Sequence, residues 1–325
     1  MSESTGRTHS NKVSIVTPTF HRPTEIAGLL ENLTQQSCLP LEVILVDGTD
    51  ANETDTERVV ADLVGSIPFQ CHYIRHENGT AIQRNAGIDK AVGDFIAFVD
   101  DDVRLDPEFL SKIVSLFAQD KDKKIGGIVG YRTNQHFRLN ERQRWRWYRR
   151  LRLLTIYEPG RYDFRSGYPI NALMQPPFSG VRRVDFMTTA CAVWRREVFS
   201  SGLRFDPFFR DYGVLEDAHL SLRAGRQWQL LQCGDAHCVE LSSPNGRVNR
   251  QAIGFKTVVN HYYVFQDVVG PLTWRHKMRF WRFQVFELLR LTSSAIRRRR
   301  RMDLRELKGR LAGFLAIARG LSSLS

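Results

Sequence analysis

Along the first hundred residues, short apolar runs of strand length alternate with longer stretches that are apolar on one helical face only. Val13–Thr17 is the first run, and it stops at Pro18-Thr19-Phe20. His21-Arg22-Pro23 then opens a helix, with the proline near the first turn, where no intrahelical N–H bond is lost. Ile26, Leu29, Leu30 and Leu33 recur there at helical spacing. Leu41–Val46 is a second strand-like run, ending on Asp47-Gly48. Glu53–Val64 predicts a helix, Gln70–Ile74 a third strand and Thr80–Val92 another helix. Phe95–Val99 is apolar throughout, as in a strand buried on both faces, and Asp100-Asp101-Asp102 follow at once. Strands alternating with helices of this length predict βαβ units and a parallel sheet.

The pattern loosens after the acidic turn. Asp106-Pro107-Glu108 predicts the start of a helix to about Phe117, and Gly126–Tyr131 a strand. Arg142–Tyr157 interleaves Trp145, Trp147 and Tyr148 with six arginines, as an exposed helix or a mobile flap. Arg161–Val181, rich in Gly, Pro and aromatics, predicts a long irregular loop. Val184–Trp194 predicts a strand pair or a bent strand, Arg195–Ser200 a short helix and Glu216–Arg226 a longer one. Gln227–Leu231 predicts a strand, followed by Cys233–Leu241. Asn249–Gln266, Trp274–Leu291 and Met302–Leu321 predict three terminal helices.

Composition narrows the class. A chain of 325 residues, 42% hydrophobic and 25% charged, has the make-up of a globular protein with a sizeable core. The net charge of +12 is concentrated: between Arg275 and Arg310, thirteen Lys and Arg face three acids. Five scattered cysteines without a Cys-x-x-Cys pair suit a reducing compartment rather than a disulfide framework. The polar first ten residues predict a disordered N-terminus without a signal peptide. No run of eighteen apolar residues predicts a membrane-spanning helix.

Candidate chemistry gathers at predicted strand ends, the edge where open α/β sheets bind ligands. Pro18, Thr19, Phe20 and Arg22 follow the first strand, Asp47 the second and the three aspartates the fourth, with Arg84 on the helix between. Asp-Asp-Asp alone is an ordinary solvated turn, Asp47-Gly48 alone a turn, and Arg84 alone a surface residue. Together they suit a nucleotide: an aromatic to cover the base or ribose, a carboxylate to accept from a base N–H, and carboxylates sharing a divalent cation with a diphosphate.

Residues 13–23 (VSIVTPTFHRP), 41–48 (LEVILVDG), 84–88 (RNAGI) and 93–102 (GDFIAFVDDD), in that order, resemble the family 2 glycosyltransferases. The resemblance covers about residues 11–245. It implies an α/β GT-A fold, a Rossmann-like mixed sheet flanked by helices, here with a C-terminal helical appendage. Residues 11–130 would form the nucleotide-sugar-binding half and 131–248 the acceptor-binding and catalytic half, with basic helices over 249–325. The resemblance also implies a nucleotide-sugar donor, most often of uridine, with Mg²⁺ or Mn²⁺. Asp100 and Asp101 would face ribose and diphosphate, and Asp102 the metal. Glu216-Asp217 resembles the motif that opens a helix near the acceptor, so Asp217 would be the general base of an inverting transfer. The helix N-terminus would hold its pKa down. Without the motif the pair is only N-terminal helix charge. His237 would complete the metal or diphosphate site, against the bland reading of a lone structural histidine. Arg247, in Ser-Pro-Asn-Gly-Arg, would reach a phosphate or the acceptor, and Thr189 would let a sugar approach the backbone.

The tail is a separate question. Met278, Trp281, Val285, Leu288 and Leu289 share a face in a stretch dense with arginine, as in a helix lying on an anionic membrane. The bland alternative is a helix packed on the domain with a solvated charged face. A lipid-linked or glycan acceptor, and a cytoplasmic location on the inner face of the membrane, follow as expectations. Nucleic acid is disfavoured because no reader fold accompanies the arginines. A nucleotidyltransferase would need a glycine-rich phosphate loop that Thr17-Pro18-Thr19 does not supply. A non-catalytic nucleotide-sugar-binding protein at the membrane would have no need of Asp217.

Overall fold

The computed structural model describes residues 12–135, 139–209, 213–241, 249–298 and 301–320. The amino-terminal half runs β1 (Val13–Thr19), α1 (Pro23–Thr34), β2 (Glu42–Asp47), α2 (Asp55–Leu63), β3 (Gln70–Arg75), α3 (Thr80–Lys90), β4 (Phe95–Val99), β5 (Val103–Leu105), α4 (Phe109–Gln119) and β6 (Ile125–Arg132). Then come α5 (Leu139–Arg150), the pair β7 (Tyr162–Asp163) and β8 (Tyr168–Pro169), β9 (Val181–Val184), β10 (Cys191–Arg195), α6 (Glu197–Ser200), α7 (Glu216–Ala224) and β11 (Gln229–Glu240). Helices α8 (Arg250–Val269), α9 (Trp274–Arg298) and α10 (Arg301–Ala318) follow.

Among the described residues the main sheet has nine strands in the order β3-β2-β1-β4-β10-β6-β11-β5, with β9 also on β11. β1 pairs parallel with β2 and β4, and β2 with β3, so their carboxyl ends share one edge. β10 is antiparallel to both β4 and β6, which turns β6, and with it the parallel β11, back to that same edge. β1, β2 and β4 are buried at every position, as their unbroken apolar runs require of strands covered on both faces.

Three expectations from the apolar pattern need correction. Asp106-Pro107 does not start a helix. Val103–Leu105 adds an edge strand to β11, and the Asp106 carbonyl accepts from Phe109 N–H at 2.9 Å, so α4 begins at Phe109. The strand expected over 227–231 continues through the following segment as one strand, Gln229–Glu240, with shifts in register. The arginine-aromatic segment is neither flap nor freely exposed: Tyr148 is fully buried, donates to Glu287 Oε1 at 2.6 Å and packs on Phe283 and Phe286 of α9. The expected loop over 161–181 also carries the small β7–β8 hairpin.

Candidate active site

Four of the strands that end on the shared edge, β1, β4, β6 and β11, deliver side chains at or just beyond their ends to one cleft of about 950 Å³, at the upper end of the range for small-molecule sites. β1 contributes Pro18 and Thr19, with Phe20 and Arg22 just beyond, and β4 contributes Asp100, Asp101 and Asp102. β10 runs the opposite way, so the segment leading into it passes the acidic turn. Asp100 N–H donates to the Ala190 carbonyl at 3.3 Å, and Thr189 lies on the cleft wall. The start of α7 places Glu216 and Asp217 on the same cavity.

The three aspartates have different surroundings. Asp101 is 3% exposed and accepts from Thr19 Oγ1 at 2.8 Å and Arg22 Nη1 at 2.6 Å. Burial, outweighing these contacts, pushes its pKa up to about 6. It ties the end of β1 to the acidic turn. Asp102 lies 3.6 Å from Arg22, and Asp100 accepts from Arg84 Nη2 at 2.8 Å.

Arg84 joins the two acidic motifs. It is buried on α3, and its Nη1 lies 3.3 Å from Glu216 Oε1 while Nη2 holds Asp100. One planar guanidinium thus spans the turn after β4 and the start of α7, a geometry suited to Arg rather than Lys. Leu215, immediately before α7, has φ +74°, a costly backbone for a branched residue, and the chain turns there so that Glu216-Asp217 face the cleft. Asp217 Oδ1 accepts from Ala218 N–H at 2.7 Å. Burial first, and then the neighbouring Glu216, raise its pKa to about 7. The expectation that the helix terminus would lower it is reversed, because desolvation of the carboxylate is the larger effect.

Not every expected residue arrives. Asp47 is fully buried, one strand away from the cleft, its oxygens taken by Thr49 N–H (2.9 Å) and the Tyr73 hydroxyl (2.8 Å). His237 is not brought to Asp102. Because β11 continues unbroken, His237 sits within the strand, 3.5 Å from Asp106, and Glu240, three residues on, reaches the cleft wall instead. Arg247 lies outside the described residues. Arg132 and Glu240, ion-paired to each other, line the cleft with Asn171 and Arg250 and were not foreseen. Arg132 ends β6, directly after the predicted run, so the strand-end reasoning applied to β1 and β4 would have reached it; Glu240 ends β11 well past the strand predicted there.

A family model described as Glycosyl transferase family 2 matches residues 14–200, more than half of the chain. The chain belongs to glycosyl transferase family 2. Relatives of this family include an uncharacterized glycosyltransferase of Haemophilus influenzae, 36% identical over 107 residues, 33% of this chain and 35% of that protein. Another is the GalNAc(5)-diNAcBac-PP-undecaprenol beta-1,3-glucosyltransferase of Campylobacter jejuni, 28% identical over 121 residues, 37% of each chain. The matches span about a third of the length of these curated relatives. Among solved structures, mannosyltransferase PcManGT from Pyrobaculum calidifontis, in complex with GDP-Man and Mn²⁺, superposes with a TM-score of 0.56 at 16% identity, over 93% of this chain and 87% of that one. The shared architecture is the GT-A fold, α/β with a mixed sheet flanked by helices.

Whether a family 2 cleft of this make-up suits a divalent cation depends on its donors. Asp100 and Asp102 present hard carboxylate oxygens on the wall, of the kind Mg²⁺ or Mn²⁺ takes together with phosphate oxygens. Among the described residues, no three His, Cys, Asp or Glu side chains converge as a metal-binding group. The residues therefore fit a cation that shares its coordination with a bound diphosphate, not a cage made by protein alone. Among the described residues, no helix is long and apolar enough to cross a membrane.

Proposed function

We propose that the chain is an inverting glycosyltransferase that moves a sugar from a nucleoside diphosphate donor, uridine being the expected nucleoside, to a hydroxyl of a glycan or lipid-linked acceptor. The observation that carries this reading is one cleft lined by two carboxylate sets that Arg84 bridges: the acidic turn, and Glu216 with Asp217, whose pKa burial raises to about 7. A base working at neutral pH is most effective with a pKa in that range.

In this mechanism Pro18, Thr19 and Phe20 receive the nucleoside, and Asp100 and Asp102 would hold the cation on the diphosphate side. Asp101 acts through Arg22 and Thr19 and keeps the turn in place. Bound Mg²⁺ or Mn²⁺ would neutralise charge on the departing diphosphate, so no protein acid is needed there. Asp217 takes the proton from the acceptor hydroxyl as that oxygen attacks the anomeric carbon from the face opposite the leaving group. Glu216, held by Arg84, keeps α7 in register with the acidic turn. Thr189 and Arg132 border the space left for the acceptor. The basic region 275–310 would rest on an anionic membrane surface, as suits a lipid-linked acceptor.

Donor hydrolysis tests the proposal. Purified protein with Mn²⁺ and a panel of UDP-, GDP- and dTDP-sugars should release nucleoside diphosphate from one donor, and Asp102→Ala should abolish release. Asp217→Asn should bind that donor normally by calorimetry while failing in transfer. Absence of metal-dependent binding to any donor would sink the reading.

A further inference from the structure

Helix α9 buries Phe280, Phe283, Gln284, Glu287 and Leu291 and leaves a second apolar face uncovered. Trp274, Met278, Val285, Leu289 and Ile296 follow one another at intervals of four and seven residues, which keeps them on one side of a helix. They are exposed by 46–72%. The single acidic side chain of α9, Glu287, is 1% exposed, so Arg275, Lys277 and Arg282 border this face with no carboxylate of their own helix beside them. Arg282 also donates to the carbonyl of Arg152, and there the end of α5 adjoins α9. That end exposes Trp147 and Leu151 among Arg146, Arg149, Arg150 and Arg152, with the Arg150 guanidinium 5.5 Å from the centroid of the Trp147 ring.

We propose that α5 and α9 form one docking surface for a bilayer containing anionic lipid, with Trp147 and Leu151 inserting beside the α9 stripe. This extends the membrane contact proposed above from the tail into the acceptor half of the transferase, and it stands independently of the chemistry in the cleft. Apolar side chains ringed by arginines suit the boundary between acyl chains and anionic headgroups, and Trp favours that boundary. A second copy of the chain fits less well, because pairing two such faces would bring arginines against arginines. The arrangement holds the acceptor half of the domain itself on the surface where a lipid-linked substrate would lie.

The test is sedimentation of the full chain with vesicles of phosphatidylcholine alone or with added phosphatidylglycerol, alongside Trp147→Gln/Leu151→Gln and Val285→Gln/Leu289→Gln. The wild type should sediment with the anionic vesicles only, and each double variant should partition about tenfold more weakly, with unchanged circular dichroism and unchanged donor hydrolysis in solution. An α5 variant that partitions like the wild type while the α9 variant does not would overturn the composite surface and leave the tail contact standing. A wild type that stays in the supernatant would overturn both, without touching the donor chemistry. A dimer by light scattering that Leu289→Gln dissociates would reassign the stripe to self-association.

Discussion

Asp217 is an acidic residue that the fold makes costly to ionise, and two predictions follow from this. An ordinary aspartate titrates near 3.8, whereas this one is raised to about 7. The folded state therefore holds the proton more tightly than the unfolded chain, and stability declines as pH rises between those values, with the cost fully present above 7. Asp217→Asn, which cannot ionise, should melt higher than the wild type at pH 8, and the gap should narrow as pH falls toward 4. The same variant should lose about two to four orders of magnitude in transfer rate, and wild-type transfer should rise with pH along a limb centred near 7. A melting difference independent of pH would show that the carboxyl is not strained by burial. Arg84 carries a further residue-scale prediction. Arg84→Lys keeps the charge but cannot span Asp100 and Glu216 together, so turnover should fall at least about tenfold. Arg84→Met, leaving two carboxylates without their buried partner, should cost about 3–5 kcal/mol of stability by denaturant titration. The sequence places Arg84 in a motif, but its bridging role depends on α7, 132 residues away, and no local pattern could reveal that.

Helix α3 meets the sheet through Gly87, where an added methyl would fall inside contact distance of Val16, a stiff β-branched residue that is itself fully buried. Gly87→Ala should force α3 off β1 at a cost of about 1–3 kcal/mol, and because α3 carries Arg84, kcat should fall further than KM rises. A variant with lowered stability but unaltered turnover would separate the packing of α3 from the site. At this scale the amino-terminal half was legible because buried parallel strands write themselves as continuous apolar runs, and β1, β2 and β4 stand within two residues of where those runs put them. Legibility failed where a tertiary partner decided. β5 is three residues long and exists only by pairing with β11. The arginines of α5 gave no sign that Tyr148 would be buried against α9. His237 was expected as a ligand on the family resemblance alone, and the structure keeps it within β11 beside Asp106. β11 runs on as one strand to Glu240 despite its register shifts against β6, and that residue lines the cleft.

At the scale of the whole molecule, the three last helices are joined to the part of the domain that carries α7 rather than trailing from it. Asp267 of α8 lies 2.9 Å from Nε2 of the buried His219 on α7, and Asn260 donates to the Val214 carbonyl two residues before Glu216. Tyr263 donates to Asp206 at 2.7 Å while stacking on Phe208. Helix α10 in turn crosses α8 at Gly254 and Gly309, where added methyls would meet the backbone carbonyls of Glu306 and Gln251. So close a backbone approach leaves no room for any side chain. Gly309→Val should therefore separate α10 from α8, and the disturbance should reach α7 through Asp267 and Asn260. The expected outcome is a lower melting temperature together with reduced transfer, even though Gly309 is not among the residues lining the cleft. Asp267→Asn serves as the control. It removes the charged partner of His219 but keeps the α8–α10 crossing, so it should reduce transfer with a smaller loss of stability. If Gly309→Val melted early yet transferred at the wild-type rate near room temperature, the terminal helices would be a support for the fold alone. Loss of transfer in both variants would make α8 the element that holds the base on its wall of the cleft. The composition of the tail revealed its charge. Its grip on α7 rests on contacts that only the folded chain brings together, among them the His219–Asp267 pair and the Arg226 bonds to the carbonyls of Asp267 and Val268.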